Sequence, residues 1–111
     1  MLAKTIMPGL HENVYKIEFV DLWYKLAEYI MGEKVNRKVI MLDSDTYSRV
    51  TILNKNLIDT IVDNCVHMGF QVISYDTDIM FIKTDNIDEC IERIKAMLNE
   101  RYGDIQVVVR E

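Results

Sequence analysis

The residues best able to do chemistry are two short acidic runs, Asp43-Ser44-Asp45 and Asp76-Thr77-Asp78. Two carboxylates with one residue between them can hold a hard divalent cation such as Mg²⁺ or Mn²⁺, above all at the end of a strand. Each run comes after a segment of strand length, Val39-Ile40-Met41-Leu42 and Val72-Ile73-Ser74-Tyr75, and the two copies are offset by 33 residues. If the copies fold alike and lie side by side, Asp43, Asp45, Asp76 and Asp78 converge, and a metal-dependent phosphoesterase results. The competing reading needs no ligand. Asp, Ser and Thr are what turns use, through side-chain hydrogen bonds to nearby backbone groups. Turn chemistry accounts for every residue of both runs, so no metal and no cofactor is expected.

Other reactive side chains are sparse. Cys65 and Cys90 are the only cysteines, and no C-x-x-C pair exists. Each falls on the apolar side of an expected helix, so both read as small buried hydrophobes. His11 and His67 are the only imidazoles. His67 lies one helical turn after Asp63, yet no nucleophile is placed to need a base there. Four glycines, at 9, 32, 69 and 103, are too scattered to cradle a phosphate. Val39-Ile40-Met41-Leu42-Asp43-Ser44-Asp45-Thr46 resembles the nucleophile strand of haloacid-dehalogenase-like phosphatases, but Tyr47 stands where that motif has Thr or Val. With Glu18 upstream, the same strand distantly resembles the topoisomerase–primase metal domain, although no glycine comes after Glu18. Neither resemblance extends to an assignment. They supply only the phosphoesterase alternative, and no catalytic residue is expected.

The elements that must position these groups are legible in outline. Glu18, Asp21, Lys25 and Glu28 share one helical face, which supports a helix over 18–32 stopped by Gly32. Residues 13–19 fit two periods. Tyr15, Ile17 and Phe19 alternate with Lys16 and Glu18 as a strand would, while Tyr15, Phe19, Trp23, Leu26 and Ile30 form a helical stripe. One long helix is the favoured reading. It carries a second apolar stripe, Ile17, Val20, Tyr24, Ala27 and Met31, which must meet another helix or another molecule.

Residues 38–42 and 49–53 read as a first hairpin around Asp43–Thr46. A helix capped by Asn54 or Asn56 comes next, with apolar pairs stepping by four to Gly69. A second hairpin pairs 72–75 with 79–83. A third helix is capped by Thr84 or Asp85 and carries Ile87, Ile91, Ile94 and Leu98 inward. A last strand alternates Ile105, Val107 and Val109. The expected fold is α+β: a two-layer sandwich with one mostly antiparallel sheet of about five strands and three helices. Residues 48–110 read as strand-helix-strand-strand-helix-strand, a ferredoxin-like order.

Composition sets the functional frame. The chain has 111 residues, of which 50% are hydrophobic and 28% charged, with 4 Gly and 1 Pro. That fits one globular domain over 1–111 and excludes disordered or collagen-like chains. No run reaches the roughly 18 apolar residues of a membrane span, and no signal peptide is recognisable, so the expected compartment is the cytoplasm. The net charge of −5 is uneven. Residues 1–55 hold 8 Lys/Arg against 7 Asp/Glu, and residues 56–111 hold 5 against 11. An acidic surface repels phosphate backbones, so direct nucleic-acid binding is disfavoured.

These features point to a small acidic, non-catalytic protein-binding protein. It would act as an inhibitor or regulator of a larger, basic, nucleic-acid-handling partner, in the manner of immunity proteins, antitoxins or phage anti-defence proteins. The expected interface is apolar on the first helix (Trp23, Tyr24, Ala27, Met31), which also implies a homodimer. An acidic part adds Asp59, Asp63, Asp88 and Glu92. A ligand-sensing regulatory domain is the alternative.

Overall fold

A computed structural model of the protein describes residues 13–36 and 42–110. Its elements are β1 (Val14–Phe19), α1 (Leu22–Met31), α2 (Ser44–His67), β2 (Gln71–Tyr75), β3 (Ile79–Lys83), α3 (Ile87–Tyr102) and β4 (Val107–Arg110). Among the described residues the fold is α+β, one antiparallel sheet of four strands in the order β2-β3-β1-β4 with three helices. One face of the sheet, through Ile17, Phe19, Met80 and Ile82, shares a single core with Leu22, Leu26 and Ala27 of α1, Ile58, Ile61 and Cys65 of α2, and Cys90, Ile94 and Leu98 of α3.

Three expectations are corrected, each for a physical reason. Residues 14–19 form a strand, not the start of a long helix. β1 is central, bonded to β3 on one side and β4 on the other, and its alternate residues Ile17 and Phe19 are buried. Two neighbours satisfy the backbone of β1 on both sides, which no helical stripe could outweigh. Asn13 and Asp21 bracket it at φ 60° and 55°. Asn and Asp tolerate this left-handed conformation better than other side chains, and Asp21 here separates strand from helix.

The second correction is at 49–53, where the sequence predicts a strand and α2 runs instead. Asp43 does not make a hairpin turn but caps α2, its Oδ1 accepting from the Thr46 N–H at 2.7 Å. Asp45 adds a carboxylate to the first turn, where the helix dipole favours it. Val50, Asn54, Ile58, Ile61, Val62 and Cys65 then supply one continuous buried stripe. Nucleation at the cap and continuation into a strong helix override the β preference of Val50, Thr51 and Ile52. The ferredoxin-like order expected over 48–110 therefore lacks its first strand, the sheet has four described strands rather than about five, and the two hairpin–helix units are not copies. The first strand expected at 38–42 lies largely outside the described residues.

The third correction is small. α3 is capped by Asn86, whose Oδ1 accepts from the Glu89 N–H at 3.3 Å while its Nδ2 donates to the Glu89 carboxylate at 3.0 Å. The second hairpin and the third helix form as the sequence predicts, and Glu89 pairs with Arg93 one turn on at 3.5 Å. Gly32 ends α1 at φ 74°, its N–H bonded to the Glu28 carbonyl.

Candidate functional site

The two acidic runs do different work in different places. Asp43 is held below the usual carboxylate range, chiefly by the Thr46 backbone N–H from which it accepts a hydrogen bond. Asp76 and Asp78 flank Thr77 at the β2–β3 turn, where the Asp76 N–H donates to the Ile79 carbonyl and the Asp76 Oδ1 accepts from the Thr77 N–H. Asn54 fixes this turn to α2. It is the one buried polar side chain of the described core, and its Nδ2 donates to the Thr77 carbonyl at 2.6 Å. A buried amide without a partner is costly, so this bond locks the register between helix and hairpin. Because Asn54 meets Thr77, Asp43 stands 11 residues up the helix, roughly 16 Å along its axis at 1.5 Å per residue. The four aspartates are not brought together. Among the described residues no group of three or more His, Cys, Asp or Glu side chains is arranged to hold a metal.

The residues of the expected apolar interface on the first helix differ in exposure. Ala27 is fully buried in the chain's own core and so cannot meet a partner. Trp23 packs against that core, stands edge-on to Tyr24 at 5.5 Å and tilts against Tyr47 at 5.3 Å, and its indole N–H donates to Thr51 Oγ1 at 3.3 Å. Tyr24 is half-buried, and Met31 alone of the four is exposed. α2 packs on α1 through Trp23 of the first stripe, while of the second stripe's α1 residues only Ala27 is buried.

The acidic residues are distributed over two helices. Asp59 and Asp63 lie one turn apart on the flank of α2 that borders β2. There Asp59 pushes the Tyr75 phenol above its usual range, with a smaller contribution from Asp63. Exposed Ile52 and Val66 continue the same stripe of α2, at spacings of seven and three from the acids. Tyr75 and Ile73 of edge strand β2 are also exposed. Asp88 and Glu92 are exposed on α3. The flank of α2 that faces α3 is formed by Leu57, Asn64 and His67, so the two acidic pairs do not make one continuous patch. His67 donates from Nδ1 to the Asp63 carbonyl at 2.8 Å, not to its carboxylate.

Two features escape sequence reasoning. A groove of about 460 Å³ runs between α2 and α3, lined by Leu57, Thr60, Asn64, Met97, Glu100 and Tyr102 among others. It exists only because the helices lie side by side, and periodicity says nothing of that. The second is an ion cluster on the sheet, where Glu18 meets Lys16 at 3.2 Å and Arg110 at 3.1 Å, which holds its carboxyl below the usual range, Lys16 contributing most. The alternation of Lys16 and Glu18 with Tyr15, Ile17 and Phe19 is the signal that would have found it.

No helix among the described residues is long and apolar enough to cross a membrane. Compared with known proteins, the chain matches no family model, no curated protein and no solved structure.

Proposed function

We propose that this is a small acidic protein-binding protein without catalysis, an inhibitor or regulator that docks on a basic partner, in the cytoplasm. The observation that carries the reading is the α2–β2 surface. Asp59 and Asp63 stand beside the exposed Tyr75 (48%), flanked by the exposed Ile52 (59%) and Val66 (55%). Carboxylates interleaved with exposed apolar and aromatic groups suit a partner that is basic and partly apolar: charge steers the encounter, and apolar contact holds it. Partners such as nucleic-acid-handling enzymes fit that description. The first helix contributes little to this surface, so a homodimer through α1 is not part of the proposal.

The test is capture from an extract of the organism that encodes the protein. Wild type is compared with Asp59→Lys/Asp63→Lys, and the captured protein is then titrated at rising salt. Capture of a basic protein by wild type alone, with affinity falling steeply as salt rises, supports the reading. Equal capture by both, or an affinity indifferent to salt, defeats it.

A second reading has its own support. Counted from β1, the elements run strand, helices, strand, strand, helix, strand, in the sheet order β2-β3-β1-β4. We propose that this is a ferredoxin-like arrangement that begins at residue 14 rather than 48. The groove between α2 and α3 has the volume of a small-ligand site. A thermal-shift screen against nucleotides and amino acids separates a ligand sensor from a protein binder.

A further inference from the structure

Two thiols that play no part in the α2–β2 surface meet inside the protein. The β2–β3 hairpin brings them together. Gln71, at the start of β2, pairs with Lys83, at the end of β3. α2 leads into β2 and α3 leaves β3, so the last turns of α2 and the first turns of α3 lie side by side. Cys65 is in the former and Cys90 in the latter. Both are fully buried in the same core. Farther along the same interface, Asn64 Nδ2 contacts Met97 Sδ at 3.1 Å. Each thiol is the chief influence on the other's ionisation. The Cys90 S–H favours a thiolate on Cys65, and Cys65 together with burial pushes Cys90 up.

We propose that Cys65 and Cys90 close a reversible disulfide that ties α2 to α3 when the protein meets hydrogen peroxide. A small uncharged oxidant fits the site, because a bulky disulfide reagent has no path to two sulfurs at 0% exposure. The Cys65 thiolate attacks one peroxide oxygen, the O–O bond breaks and hydroxide leaves, making a sulfenic acid. The Cys90 sulfur then attacks the Cys65 sulfur. The S–O bond breaks, and the departing hydroxide takes the Cys90 proton as water. In sum, two thiols and one peroxide give one disulfide and two waters. The bond encloses the segment between the two cysteines, which contains the whole β2–β3 hairpin, and so constrains the unfolded chain.

The experiment is peroxide treatment of the folded protein, then denaturation, thiol alkylation and intact mass. The expected product carries no alkyl label and is lighter by two hydrogen atoms. Peptide mapping joins Cys65 to Cys90, dithiothreitol restores both labels, and the oxidised protein melts at a higher temperature than the reduced one. Cys90→Ala should accumulate a dimedone-reactive sulfenic acid on Cys65. If that variant does not fold by circular dichroism, wild-type mapping decides alone. Two free thiols after peroxide, a bond between two chains, or irreversible oxidation of one cysteine with the other untouched would overturn the proposal.

Discussion

Val50 and Ile52 provide a sharp test of how α2 is built. They are two residues apart in a β-branched segment, Val50 at 0% exposure and Ile52 at 59%. On a helix, two residues apart is a rotation of about 200°, so the two side chains leave opposite sides. On a strand they would share a face. Val50→Ala removes two buried methyl groups, each contributing about 0.8 kcal/mol by transfer, with more lost if a cavity remains. Alanine returns about 0.5 kcal/mol through better helix propensity. The net loss, once the cavity is included, should be about 1.5 kcal/mol. Ile52→Ala gives up little burial and gains the propensity term, so it should be neutral or stabilising by a few tenths of a kcal/mol. Urea unfolding monitored by far-ultraviolet circular dichroism measures both, with an unchanged denaturant slope as the sign that only stability has moved. Comparable destabilisation by both substitutions would refute the helical account of residues 49–53.

Two further outcomes concern the titrating groups. Tyr75 should titrate spectroscopically above the usual range of about 10 for a phenol, and Asp59→Asn should bring it back towards that value; an unchanged titration would separate Asp59 from Tyr75 and weaken the proposed surface. Asp43 is depressed in the folded chain, so its stabilising contribution is complete above its unfolded pKa and is lost as pH falls through the folded value. Asp43→Ala should therefore lower the urea midpoint at pH 7 and make little difference in strong acid, whereas Asp45→Ala, which removes no cap, should have a smaller effect at either pH.

Much of the fold is legible in the sequence where one period is unambiguous. Ile87, Ile91, Ile94 and Leu98 repeat at helical spacing and nothing competes with them, so α3 can be read from its pattern and from the acids Asp88 and Glu89 in its first turn, although its cap is Asn86 and not Thr84 or Asp85. The β2–β3 hairpin can be read from two apolar runs around Asp-Thr-Asp. The acids at 59, 63, 88 and 92 are legible as surface, because a solvated carboxylate needs no partner to be stable.

Tertiary structure decided the segments that fit two periods. Residues 14–19 satisfy both a strand and a helix locally, and the choice fell to β3 and β4, which lie about 60 or more residues away in sequence and bond both edges of β1. Asp43-Ser44-Asp45 and Asp76-Thr77-Asp78 are nearly the same word, yet one opens a helix and the other closes a hairpin. The difference lies in the segment C-terminal to each: a long amphipathic helix after the first, a pairing strand after the second. Side-chain chemistry sets what each residue can bond to, but the meeting of Asn54 with Thr77, or of Cys65 with Cys90, depends on packing between elements far apart in the chain. The same long-range packing buried Ala27 and left Asp59 beside Tyr75 at the surface.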